Sequence, residues 1–170
     1  MSAIVHDPIG VIHLIAAVVA LVAGTSVLFM RKGTMRHRQV GYAYVASMVV
    51  MLVTAFMIYR LFDGWGVFHY AAVISTVTLV GGMVPVFRRK SPKWVVSHFA
   101  FMYWSVFGLY AAFASEIITR IPGFQFFHLV GWATGGVMLA GGVIWSFNKK
   151  KWHTQFVRER VKPRKPLFGR

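Results

Sequence analysis

Apolar residues dominate five long segments of the chain, and polar residues are concentrated in the short connections between them. Each segment reaches the roughly 20 residues that a helix needs to cross the ~30 Å hydrocarbon core of a bilayer. None shows the sustained two-residue alternation of a membrane β-strand. Backbone N–H and C=O groups must be hydrogen-bonded within each span, so the spans are predicted to be α-helices. We predict an all-α, integral membrane five-helix bundle with spans at 9–30, 40–59, 66–87, 94–119 and 124–147.

The composition supports a membrane chain without separate domains. Hydrophobic residues make up 57% of the sequence and charged residues 14%, which is unlike a soluble domain. The short connections predict one transmembrane domain at 1–147, followed by a basic tail at 148–170 that contains Pro163 and Pro166. Residues 1–10 hold no Lys or Arg. We therefore expect the first segment to be a span rather than a cleaved signal peptide.

The distribution of basic residues predicts the topology. All but two of the 19 Lys and Arg residues fall in the first connection, the third connection and the tail. The positive-inside rule assigns these parts to the cytoplasm, with the N-terminus outside and the C-terminus inside a bacterial inner membrane. This loop bias accounts for the net charge of +15. We therefore expect the lipid bilayer as a partner, with anionic headgroups near the tail, and no nucleic acid.

Four histidines recur at nearly even intervals. His37, His69, His98 and His128 are separated by 32, 29 and 30 residues, each about one span and a turn. They are therefore expected on successive antiparallel helices, alternating between the two membrane surfaces. The pairs would be His37 with His98 on the inner side and His69 with His128 on the outer side. Two facing imidazoles are the axial ligands that a haem iron uses, and polar residues within membranes tend to be functional.

This pairing predicts a transmembrane b-type cytochrome with two bis-histidine haems. Basic side chains close to each pair could hold the propionates: Arg38 inside, and Arg60 and Arg120 outside. Two such haems would lie on the order of 15–20 Å apart in a ~30 Å core. The chain has no cysteine, which excludes covalently attached c-type haem and thiolate sites. Such a protein would transfer electrons between a donor and an acceptor. A membrane oxidoreductase is therefore one candidate activity, although the sequence identifies no catalytic residues for it.

The order of the four histidines resembles the cytochrome b561 family. In those proteins the first and third ligands share one haem, and the second and fourth share the other. The resemblance covers helices two to five and implies a four-helix haem-binding core with one additional helix. It also implies a quinone as a candidate electron partner, because bacterial relatives of this architecture commonly use one. No ascorbate-binding motif is apparent, so ascorbate is not implied.

A second resemblance is more local and covers most of the chain. It resembles the pattern of a bacterial family of multi-helix membrane proteins without an established activity. The residues that carry it are His13, Gly24, Arg31-Lys32-Gly33, His37-Arg38, Gly41, Tyr44, His98 and Met102. We do not expect that pattern to require His69 and His128, so the inner haem is the stronger prediction.

Two alternatives remain open. His13 is expected near the outer surface, where it could be an alternative haem ligand. Together with His69, His128 and Glu116 it could instead bind zinc in a structural or hydrolytic site. The Glu116 carboxylate also stands four residues before Arg120, which favours a simple surface ion pair. The second alternative is a non-catalytic membrane partner subunit or a homo-oligomer, since the fifth helix is rich in glycines that allow close helix contacts.

Overall fold

The computed structural model describes residues 8–58, 64–91 and 93–161, with the backbone alone at 153 and 155–161. Every regular element in these ranges is an α-helix. All five helices are long and apolar enough to cross a membrane, the last of them over Phe126–Trp152. This confirms the predicted all-α five-helix architecture, whereas its orientation stays a prediction. The helices are α1 Pro8–Phe29, α2 Met35–Met57, α3 Val67–Arg88, α4 Trp94–Ile118 and α5 Phe126–Val161.

Two helices are longer than the apolar pattern indicated. α2 begins at Met35 because the Thr34 hydroxyl caps it, accepting a hydrogen bond from the His37 backbone N–H at 3.1 Å. His37 therefore lies in the first turn of α2, ahead of the predicted span at 40–59 and on the helix where the histidine spacing expects it. α5 continues to Val161, well into the predicted tail. The lysines that follow the apolar part of α5 favour helix, and there is no proline between the start of α5 and Pro163.

The helices form an unequal bundle in which α4 is central. α1 packs along α2, α3 packs along α4, and α5 packs along the other side of α4, while α1 touches α4 and α2 touches α3 less extensively. The backbones of α2 and α4 do not approach within 8 Å between Cα atoms anywhere in the described ranges. We call the end at which α1 and α3 finish and α2 and α4 start the basic end, since the connections there carry Arg31, Lys32, Arg89, Lys90 and Lys93.

The buried core lies between α1, α2, α3 and α4, with Ala72 and Leu79 contributed by α3. α1 contributes small residues at helical spacing, Ala16, Ala20 and Ala23, which allow α2 to approach closely. Gly24 continues this face, and a Cβ atom there would lie 2.9 Å from the ring of Tyr44. Most other large apolar side chains face outward along the helices, as expected of surfaces in contact with lipid.

Candidate functional site

The basic end holds a histidine whose ring is only partly satisfied. The Nδ1 atom of His37 is buried and has no hydrogen-bond partner. Leaving a buried polar atom unpaired is unfavourable, because it has lost its water without gaining another partner. Such an atom is expected where the site receives a further group. His37 is therefore a candidate ligand on structural grounds as well as by its spacing.

His98 lies in the second turn of α4 with one ring nitrogen fixed. Its Nδ1 is 2.8 Å from the carbonyl oxygen of Gly82 in α3. A carbonyl oxygen can only accept a hydrogen bond, so Nδ1 carries the proton. In the neutral ring the lone pair is then on Nε2. A histidine that donates from one ring nitrogen to a carbonyl and presents the other is the usual arrangement of a metal ligand.

The sequence of α3 explains why this carbonyl is within reach of His98. Gly81 and Gly82 allow α4 to come close: an added Cβ would lie 2.7 Å from the Phe101 ring at the first position and 2.5 Å from Met102 Sδ at the second. Pro85 follows within the same helix. It has no N–H to donate to the carbonyl four residues earlier, so the turn that starts at Gly81 is loosened.

His37 and His98 are brought near one another. Their imidazoles are within electrostatic range, and Lys32 is within range of His37. Because the backbones of α2 and α4 stay more than 8 Å apart, space between these helices is left to side chains. Two histidines that share one iron need such a separation, since each imidazole and its bond to the metal lie between the backbones. The structure thus places the pair predicted for the inner side at the same end of the bundle and within electrostatic range, and ligation of one iron by the two stays a prediction.

Basic groups surround this pair. The Lys32 ammonium donates to the carbonyl oxygens of Val27 and Leu28 at 2.5 and 2.7 Å, which caps the end of α1. Burial lowers the pKa of Lys32 below its usual value. Arg38 is exposed one residue after His37. Arg89 is also exposed, and its guanidinium carbon is 5.3 Å from the centre of the Trp94 ring. Positive charge is therefore available to anionic groups at this end.

The opposite end does not repeat the arrangement. His69 is 3% exposed, its Nδ1 accepts a hydrogen bond from the Gly66 N–H at 3.1 Å, and its ring packs on Trp65. It acts as a cap for the start of α3, and in its neutral form the proton lies on Nε2, the atom that would have to coordinate. His128 is exposed in the first turn of α5. The two residues thus differ in both burial and role.

The other residues predicted for the outer side are partly accounted for. Arg120 forms an exposed ion pair with Glu116, the surface pair that the four-residue spacing predicted. Arg60 lies outside the described residues. Nδ1 of His13 donates to the carbonyl oxygen of Met51 at 3.1 Å and lies 3.0 Å from Thr54 Oγ1. These partners of His13, on α2, carry no signal in the sequence.

The groups needed for the zinc alternative are not gathered. His13 and Glu116 are within electrostatic range. In the described ranges, however, no group of three or more His, Asp or Glu side chains could hold a metal ion. The alternative with His13, His69 and His128 therefore gains no support from the fold.

The homo-oligomer also stays a prediction. A Cβ at Gly131, Gly135 or Gly136 would meet no atom within 4 Å, and these glycines pack against no other described part of the chain at that position.

Comparison with known proteins gives one match. The model of a family described as "Predicted membrane protein (DUF2306)" matches residues 10–147, which span α1 to α4 and most of the membrane part of α5. No curated protein and no solved structure matches the chain. The membrane character predicted from the sequence is therefore confirmed, while the likeness to cytochrome b561 proteins stays a prediction.

Proposed function

The chain belongs to the DUF2306 family of predicted membrane proteins, and we propose that its basic end binds one haem b, with His37 and His98 as axial ligands. One observation carries this proposal. The His98 ring is fixed through Nδ1 to the Gly82 carbonyl, which presents Nε2, and it lies near a His37 ring whose buried Nδ1 has no partner. Membrane histidines arranged in this way fit axial ligation of an iron better than they fit packing.

The surroundings of the pair also suit a flat apolar ring with acidic substituents. Gly41 follows His37 by one helical turn, and an added Cβ there would meet no atom within 4 Å. The side chain of Met102 lies one turn after His98 and is partly buried against the core. Lys32, Arg38 and Arg89 supply positive charge at the surface, where propionates would end.

Haem, when bound, supplies a one-electron redox centre. The chain itself orients the ligands: the Gly82 carbonyl holds the His98 ring, and the cap at Thr34 starts α2 early enough to place His37 within the helix. The proposed function is electron transfer at the membrane, with a lipid-soluble quinone as one candidate partner. We limit the proposal to one haem, because Nδ1 of His69 accepts a hydrogen bond where Nδ1 of His98 donates one, and because His128 is exposed.

Substitution of the two ligands tests the proposal. The full chain is produced with haem supply, and the haem content is measured as a pyridine haemochrome after purification. We expect His37→Ala and His98→Ala each to lose the haem, since either change leaves the iron with one protein ligand. His128→Ala is the matched control, because His128 is exposed and its loss should leave the haem content unchanged. Full haem content in both ligand variants would refute the proposed site.

A further inference from the structure

A buried hydrogen bond links α2 to α4 in the middle of the bundle. The Tyr44 hydroxyl lies 2.8 Å from the Ser105 hydroxyl, and the two residues are 0% and 1% exposed. The link is notable because these two helices make no close backbone approach in the described ranges. Direct contact between α2 and α4 is therefore made through side chains.

The link has the same register as the histidine pair. Tyr44 follows His37 by seven residues, and Ser105 follows His98 by seven. Seven residues are two turns of an α-helix and about 10.5 Å along its axis, and they return to nearly the same face. Both helices start at the basic end and run in the same direction. The hydrogen bond and the histidine pair thus lie on the same faces of the two helices, at matched heights.

The ring of Tyr44 has little freedom to move. A Cβ at Gly24 of α1 would lie 2.9 Å from the Tyr44 ring and 3.2 Å from Val106, the neighbour of Ser105. The ring is therefore enclosed between α1 and α4, and packing fixes where its hydroxyl lies. A hydrogen-bonding group that packing holds rigidly can fix a helix register, whereas a long flexible side chain cannot.

We propose that Tyr44 and Ser105 are positioning residues of the basic-end site: their hydrogen bond sets the height and rotation of α2 against α4, so that His37 and His98 face the same iron. The inference rests on the proposed function. Each residue lies two turns from the histidine on its own helix, so each would act through the backbone of that helix. Loss of the bond should weaken haem binding about threefold, the size of an average hydrogen bond between membrane helices.

Tyr44→Phe tests the inference, because it removes the hydroxyl and keeps the buried ring. We expect a haem dissociation constant about threefold higher and a changed low-spin ferric electron paramagnetic resonance spectrum, which reports the relative orientation of the two imidazoles. Ser105→Ala should give the same changes, and the double variant little more, since both remove one bond. The matched control is Tyr110→Phe, which removes the hydrogen bond from Tyr110 to Thr25 of α1. That variant should resemble the unmodified protein.

A second readout does not depend on haem. The chain has no cysteine, so spin labels can be attached at the exposed positions Gln39→Cys on α2 and Lys93→Cys beside α4. We expect Tyr44→Phe, and not Tyr110→Phe, to broaden or shift the distance distribution between the labels. An unchanged distance and an unchanged spectrum in Tyr44→Phe would overturn the positioning role. Absence of haem from the unmodified protein would instead refute the proposed function, while the label distances would still decide whether the bond sets the register.

Discussion

Nδ1 of His98 lies 2.8 Å from the carbonyl oxygen of Gly82, so the orientation of an α4 imidazole depends on the backbone of α3. The candidate site is thus built by three helices: α2 brings His37, α4 brings His98, and α3 holds the latter in place. Changes in α3 should therefore alter the properties of the site without touching either histidine.

Replacement of Pro85 by alanine should raise the stability of the protein and at the same time lower its affinity for haem. Alanine restores an N–H donor to the carbonyl of Gly81 and closes the loosened turn of α3, which should raise the thermal unfolding temperature. The same change moves the neighbouring Gly82 carbonyl relative to His98. We expect haem affinity to fall by about 10-fold, the lower end of the range for loss of a metal ligand's hydrogen-bond partner. Thermal unfolding and haem titration check the two effects, and a parallel rise in both would contradict the role of this carbonyl.

Gly82→Ala should destabilise the contact between α3 and α4. The added methyl would lie 2.5 Å from Met102 Sδ and 3.0 Å from its Cγ, so the methionine or the helix has to shift. We expect a loss of about 1–3 kcal/mol in the free energy of unfolding, as for overpacked cores. Gly136→Ala is the control, because an added methyl there meets nothing within 4 Å. If the clash is the cause, the double variant Gly82→Ala/Met102→Ala should lose less stability than the sum of the two single variants.

His69→Ala should affect stability and leave the haem content unchanged. The imidazole accepts the Gly66 N–H at the start of α3, so its removal takes away a helix cap worth about 1 kcal/mol. Denaturation in detergent and haem quantification of the same preparation distinguish this structural role from ligation. Loss of haem from this variant would make His69 a ligand and contradict its purely structural role. Two equivalents in the unmodified protein, with one lost from this variant, would support the two-haem prediction.

Lys32 should make stability depend on pH in the alkaline range. Partial burial lowers the pKa of Lys32, because the charged ammonium is less well solvated in the folded protein than in the unfolded chain. Between the folded and unfolded pKa values the unfolded state binds more protons, and the unfolding free energy therefore rises with pH. The neutral amine still has two N–H donors for the carbonyls of Val27 and Leu28. Lys32→Met should show a smaller rise, measured by denaturation between about pH 7 and pH 10. An equal slope in both proteins would exclude Lys32 as its source.

The sequence predicted the number of helices correctly, because that number follows from the length of a membrane span. The same spacing put His37 and His98 at one end of the bundle, and their sharing of one iron stays a prediction. Side-chain pairings between helices depend on how each helix is rotated about its axis. Because the helices carry apolar residues on nearly every face, the sequence does not show which face points toward the neighbouring helices. The role of His69 as a cap and the contact of His13 with Thr54 were therefore not predictable. Ser105 could have been noticed, since it repeats at α4 the seven-residue offset between His37 and Tyr44.

The haem-to-chain ratio of the unmodified protein, purified after growth with haem supply, tests the central claim most directly. Quantitative haemochrome analysis together with an optical spectrum of the reduced protein gives both the stoichiometry and the spin state. The account predicts a ratio near one and the low-spin b-type spectrum of an iron with two imidazole ligands. A colourless protein, or haem with a high-spin spectrum that indicates a missing axial histidine, would contradict it.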